Sequence, residues 1–400
     1  MEHVRGLLVA VLAMTAAAGC KEKDVTKEAA PAAQAAAETK LSSAGSTIVL
    51  GHVGSLTGNE ATFGQSSDRG FKLAIDEQNT KGGIKGKKIE LKTLDDQGKP
   101  EEAAVAAIRL ATQDHVSVIF GEVASTRSLA MAPVAESNHI PMITHMSTNP
   151  KVTKDGDKTR QYVFRTCFID PFQGTVMAKF TRENLKIDKV AILRDVGSDY
   201  SVGLAQFFTG TYKNLGGAIV AEQSYKSGDQ DFKAQLTAIK GKNPDAIYVP
   251  GYYTEVALIA RQARELGLKQ PLLGGDGWPS DKLFEIAKGA LDGSYYSGHY
   301  SEENPAPVVQ EFVAKYKTAY GTVPDAWATL AYDTARLTVS ALERAKELTG
   351  PAIRDALEQT KDFTGVTGAI AFDADHNPIK PAAVLGIEKN KSKFASTVNP

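Results

Sequence analysis

Cysteine is scarce in this sequence, with only Cys20 and Cys167 in 400 residues. Cys20 falls in the amino-terminal leader, so the body holds one thiol and no intramolecular disulfide can form within it. Neither charge sign is in excess, with 46 basic residues against 47 acidic ones. No basic stripe is visible, and nucleic acid is therefore excluded as an expected partner. The apolar run Leu7–Ala18 is twelve residues long, too short to cross a bilayer as a helix. Catalytic signatures are missing as well. Gly51-His52-Val53-Gly54 lacks the third glycine of a dinucleotide fingerprint. There is no Walker loop, no His-x-x-x-His pair and no nucleophile elbow. These absences argue against an enzyme, and no cofactor is expected. A hydrolytic triad of His145, Ser147 and Asp276 exists only on paper. His145 reads as a hydrogen-bonding loop residue, and Cys167, in the apolar run Tyr162–Ile169, as a small buried hydrophobe.

What is present begins with a leader. Arg5, the apolar run and Ala17-Ala18-Gly19-Cys20 have the layout of a secretory signal. Small residues directly before Cys20 resemble a bacterial lipobox, which would make Cys20 a lipidated amino terminus after removal of residues 1–19. The alternative is an ordinary signal peptide cut at Ala18 or Gly19. Residues 20–46 then form an expected tether, because Lys21–Ser46 has too few large apolar residues to offset the entropy of ordering.

About 350 residues remain, more than one core ordinarily serves. Strand and helix signals alternate through them, in one series from Thr47 to Pro150 and a second from near Tyr162 to Pro279. Two βα series imply an α/β fold of two doubly wound lobes. The stretch Val116–Pro150 organises the first series: strand, turn, helix from Ser125 to Asn138, strand, and the polar turn Thr144–Pro150. Ligands collect at the carboxyl edge of such sheets. Residues expected on that edge are Phe63, Ser125, Thr148, Tyr200, Tyr252, Asp276 and Trp278. They supply hydroxyls for a carboxylate, an acid for an ammonium and aromatic walls, as small-molecule pockets require. On simpler readings Ser125 only caps its helix, Thr148 only shapes a turn before Pro150, and Asp276 is a solvated turn aspartate.

From Thr47 to Glu388 the sequence resembles the periplasmic leucine/isoleucine/valine-binding proteins of bacterial ABC importers. The likeness is carried by Asn79-Thr80-Lys81-Gly82-Gly83-Ile84-Lys85-Gly86, Leu94-Asp95-Asp96, Met142-Ile143-Thr144, Arg165-Thr166, Gly251-Tyr252-Tyr253, Arg261-Gln262-Ala263-Arg264, Gly267-Leu268-Lys269 and Gly274-Gly275-Asp276-Gly277, in that order. The resemblance implies two Rossmann-like lobes joined by three hinge crossings, residues 47–169 with 300–386 and residues 170–299 with 387–400. It implies that Ser125 and Thr148 hold an α-carboxylate, that the Met146 carbonyl and Asp276 receive an α-ammonium, and that Phe63, Tyr200 and Tyr252 line the pocket. Trp278 is expected to cover the side-chain end. Asp276 replaces the family's usual Glu, and Gly98 and Ala124 stand where relatives have a disulfide. His145 and Met146 replace small residues and are expected to narrow the pocket, while Arg127 adds a cation compatible with an acidic ligand. The expected partners are an aliphatic amino acid and ABC permease subunits. The protein is expected to be a periplasmic monomer that meets the membrane only through its lipid anchor. A sensory receptor for amino acids or small amides on the same fold is the alternative.

Overall fold

The computed structural model describes residues 47–399; the signal, Cys20 and the tether lie outside the described residues. Two sheets organise the chain. The first has five parallel strands in the spatial order Lys88–Asp95, Thr47–Gly54, Ile119–Phe120, Met142–Thr144, Val163–Arg165. The second has seven, in the order Lys391–Val398, Ala382–Glu388, Tyr295–Gly298, Leu272–Gly274, Ala246–Tyr248, Lys189–Asp195, Ala218–Tyr225. Its last five run parallel, and the two carboxyl-terminal strands run antiparallel. Central strands such as Ala246–Tyr248 and Leu272–Gly274 are buried at every position. Helices cover both faces of such sheets, so an unbroken apolar run, not alternation, is stable there.

In both sheets the first strand of the series sits inside the order, so the chain winds outward in both directions from it. That reversal opens a crevice at the carboxyl ends of the two central strands. In the first lobe the crevice lies between Thr47–Gly54 and Ile119–Phe120; in the second it lies between Lys189–Asp195 and Ala246–Tyr248. The sequence thereby aims Ser55–Glu60, Gly121–Ala124, Val196–Ser198 and Val249–Tyr252 at the space between the lobes.

The chain passes between the sheets after Arg165, after Gly298 and before Ala382. The boundary expected at Gly386 moves accordingly. Ala382–Glu388 pairs along its length with Tyr295–Gly298 and Lys391–Val398, so the whole strand belongs to the second sheet. Between the second and third crossings, the helices Pro307–Tyr320, Ala326–Arg344 and Gly350–Glu358 return to the first lobe. Ala326–Arg344 lies along the helix Ala61–Thr80, and Tyr332 donates from its hydroxyl to Glu77 Oε2 at 2.8 Å.

Candidate functional site

In the first lobe the site is built around a buried carboxylate, Glu122. Its Oε1 accepts from the Ser55 amide at 2.9 Å and from the Ser55 hydroxyl at 2.8 Å, and its Oε2 accepts from the Ala124 amide at 2.6 Å. Arg127 reaches Glu122 Oε2 with Nε at 3.0 Å, Glu60 Oε2 with Nη2 at 2.7 Å and the Gly98 carbonyl with Nη1 at 3.1 Å. Burial alone would raise the Glu122 carboxyl, but the Arg127 charge and the N–H donors outweigh it and hold the group below its ordinary range. Asp96 behaves in the opposite way. Burial and then the Glu122 charge push its carboxyl up to about 8. Arg127 is thus fully committed to protein carboxylates, which removes it as a free cation for an acidic ligand. It also links the Gly98 loop to the loop before Ser125.

The helix Ser125–Asn138 has its expected bounds, but Ser125 is not its cap. Ala124 occupies the cap position with extended backbone angles, and Ser125 is the first helical residue. Its hydroxyl, freed from capping, accepts from the Asn149 amide at 3.2 Å. The polar turn after Met142–Thr144 is held from behind. Thr144 and Ser147 both donate side-chain hydroxyls to the Glu122 carbonyl at 2.8 Å. The buried Arg165 guanidinium donates to the Ser147 carbonyl at 2.7 Å and the Asn149 carbonyl at 2.9 Å. This frame presents the Thr148 side chain, buried beside the Asp170 carboxyl. Met146 is buried in the apolar cluster of the lobe. His145 departs from its expected place. Its Nε2 meets Ser67 Oγ at 2.7 Å and its ring stands edge-on to Phe71 at 5.1 Å. It fills the first-lobe core instead of narrowing the pocket, and burial drives its pKa well below the ordinary value.

The second lobe contributes aromatic rings and the acid. Tyr200 and Tyr252 stack at 5.3 Å with an interplanar angle of 6°. Phe63 from the first lobe meets Tyr252 edge-on at 5.2 Å, so one aromatic wall crosses from lobe to lobe. Asp276 is fixed through its backbone: its amide donates to Gln173 Oε1 at 2.9 Å, and the next amide, of Gly277, donates to the Tyr200 hydroxyl at 3.2 Å. The flanking glycines permit this approach. A Cβ on Gly275 would lie 2.5 Å from Gln173 Oε1, and one on Gly277 would lie 2.8 Å from the Gly251 carbonyl oxygen. Asp276 Oδ2 lies 2.8 Å from His299 Nε2, while Oδ1 is buried with no hydrogen-bond partner among the described residues. Trp278, two residues on, points the other way. Its indole N–H donates to the Val249 carbonyl at 3.0 Å and its ring packs on Tyr296. It belongs to the second-lobe core and does not cover the side-chain end.

Four residues escaped sequence reasoning. His299, Gln173, Asp170 and Glu60 lie outside the loops that strand signals locate or are paired through contacts distant in sequence. His299 and Asp170 stand where the chain crosses between lobes, and no periodicity marks such positions.

The lobes meet around this space. Asp199 and Thr126 exchange hydrogen bonds, Asn149 Nδ2 donates to the Asp199 carbonyl at 2.8 Å, and Thr254 Oγ1 donates to the Asn59 carbonyl at 2.7 Å. Hydroxyls, a half-paired carboxylate and aromatic walls suit the capture of a small zwitterion. The Cys167 thiol is a poor nucleophile, since burial pushes it up to about 12.

Residues 47–392 match the family described as "Periplasmic binding protein". The Leu/Ile/Val-binding protein BraC3 of Rhizobium johnstonii is 31% identical over 326 residues, covering 81% of this chain and 87% of that protein. The leucine-binding protein LivK of Thermotoga maritima superposes with a TM-score of 0.84 at 40% identity, covering 88% of this chain and 99% of that one. The branched-chain amino acid transporter substrate-binding protein LivJ of Streptococcus pneumoniae, solved in complex with isoleucine, gives 0.83 at 36% identity, covering 88% and 100%. The chain belongs to the periplasmic binding protein family.

Proposed function

We propose that this protein is the solute-binding component of a bacterial ABC importer, and that it captures an aliphatic, branched-chain amino acid between its lobes. The observation that carries this reading is the buried Asp276 Oδ1, which has no partner among the described residues. A buried carboxylate oxygen is costly unless a cation meets it. The α-ammonium of an amino acid is such a cation. Ser125 and Thr148, across the cleft, supply hydroxyls for the α-carboxylate. Phe63, Tyr200 and Tyr252 offer apolar surface to the side chain. Arg127, neutralised by Glu60 and Glu122, offers nothing to an acidic side chain, which favours aliphatic over acidic ligands.

Binding then works by population shift. Open and closed forms exchange about the three crossings, and ligand favours the closed form because both lobes touch it. The closed form docks on permease subunits in the membrane. The leader supports periplasmic placement, with a lipid on Cys20 as the anchor and residues 20–46 as the tether. The protein acts as a monomer and as a binder without catalytic turnover.

Calorimetric titration of protein refolded to remove carried-over ligand tests this reading. One-to-one binding of leucine, isoleucine or valine, with glutamate much weaker, is the expected outcome. Silence toward all three, or preference for glutamate, contradicts it.

A further inference from the structure

Asp276 is a short acid for a site that must reach across a cleft, and the structure supplies it with a buried neighbour. His299 Nε2 lies 2.8 Å from Asp276 Oδ2, and the His299 ring stacks on Phe168 with centroids 3.6 Å apart at 22°. Phe168 sits on the first crossing between the lobes and His299 on the second. Both rings are buried. We propose that His299 is a positioning residue for ligand recognition: its Nε2–H holds one oxygen of Asp276 so that the other faces the ligand ammonium, and it ties that carboxylate to the interlobe crossings. This rests on the reading of Asp276 given above.

The charge state follows from the surroundings. Burial lowers the imidazole below its ordinary value and outweighs the pull of Asp276. Lys380 on the third crossing and His145 in the first lobe oppose a charge on the ring as well. The other titratable groups around the pair are Asp170, Cys167, Tyr200 and Tyr248, whose ionised forms burial disfavours. A neutral ring leaves Asp276 with its full negative charge for the ammonium. Protonation makes His299 the cation that Asp276 pairs with, and the ligand loses its partner. Leucine binding therefore competes with one proton, and affinity falls as pH drops through the folded value of His299, which burial holds below the ordinary imidazole range, by at most tenfold per pH unit.

The test measures leucine affinity of the refolded wild type, His299→Phe and His299→Gln from pH 5 to 8. The phenylalanine variant keeps the stack on Phe168 and removes the donor. It is expected to weaken leucine binding by about tenfold to a hundredfold at pH 7.5. The glutamine variant keeps an N–H for Asp276 without a titrating group. It is expected to bind leucine within about threefold of wild type at pH 7.5 and to lose the decline at low pH. 4-Methylpentanoate, which has no ammonium, is expected to be insensitive to either substitution. Equal leucine affinity in wild type and His299→Phe, or identical pH profiles in wild type and His299→Gln, overturns the inference alone. Where the wild type prefers isoleucine or valine, the same comparison is made with that ligand; a wild type that binds none of the three overturns the underlying reading and this inference with it. Should His299→Phe fail to fold, the pH profile of His299→Gln decides.

Discussion

Thr126 and Asp199 join the lobes through a reciprocal pair of hydrogen bonds. The Asp199 amide donates to Thr126 Oγ1 at 2.9 Å, and that hydroxyl donates to Asp199 Oδ2 at 3.2 Å. Each residue lies in the first turn of a helix, so the contact brings two helix starts together at the rim of the cleft. Neither group is deeply buried, and both are satisfied by water when the lobes part. The pair therefore favours the closed form without adding much to the fold of either lobe.

Thr126→Val separates those two effects. The substitution keeps the shape and removes both bonds. Ligand affinity is expected to weaken by about 1–2 kcal/mol, or fivefold to thirtyfold in Kd. The unfolding free energy of the ligand-free protein is expected to move by less than about 0.5 kcal/mol. Calorimetric titration beside urea unfolding checks both numbers.

Arg127 is expected to act on stability first. Replacing it with methionine leaves Glu60 and Glu122 buried without their cation, at an expected cost of about 3–5 kcal/mol at pH 7. In the wild type the lowered Glu122 carboxyl contributes stability above its unfolded value, and this is lost as pH falls through the folded value. The variant is expected to behave in the reverse sense. Its carboxyls take up protons, so its deficit relative to wild type shrinks between pH 7 and pH 5. Urea unfolding at the two pH values reads this, and a constant deficit would argue that Arg127 acts through packing alone.

Asp96 supplies a pH dependence of opposite sign. Its carboxyl is raised from 3.8 to about 8 by burial and by Glu122. The folded state therefore binds a proton that the unfolded state releases, and stability falls as pH rises from about 4 to 8. Asp96→Asn keeps an acceptor for the Gly98 amide, 2.9 Å from Oδ1, and a polar neighbour for the Ser55 hydroxyl at the same distance. It is expected to flatten that decline and to be more stable than wild type at pH 8. Thermal unfolding across the range measures it; parallel curves for the two proteins would count against a proton on Asp96.

Much of this arrangement was legible in the sequence. The helix Ser125–Asn138 has its expected bounds because a serine-led turn and the following strand Met142–Thr144 punctuate it on both sides. The loops that carry Tyr200, Tyr252, Asp276 and Thr148 were legible because strand signals locate the carboxyl edges that they follow. Direction of side chains was less accessible. Trp278 and Asp276 share a loop, yet one enters the core and the other the cleft, because Gly274 leaves room for the indole and Gly275 and Gly277 leave room for Tyr200 and Tyr252. Partners distant in sequence were hidden as well. Arg127 reads as a spare cation until Glu60, 67 residues away, folds against it (127 − 60 = 67). The strand Ala382–Glu388 reads equally well in either lobe, and only its antiparallel pairing with Tyr295–Gly298 assigns it.

The central claim is that Asp276 receives the ammonium of an aliphatic amino acid. The most direct measurement is the leucine affinity of Asp276→Asn against wild type at pH 7.5, on refolded protein whose circular dichroism matches wild type. Asparagine keeps the size of the side chain, removes its charge and replaces one acceptor oxygen by an N–H donor. The account predicts that leucine binding weakens by about 2–5 kcal/mol while the fold is retained. Leucine affinity equal to that of wild type would contradict it and place the ammonium elsewhere.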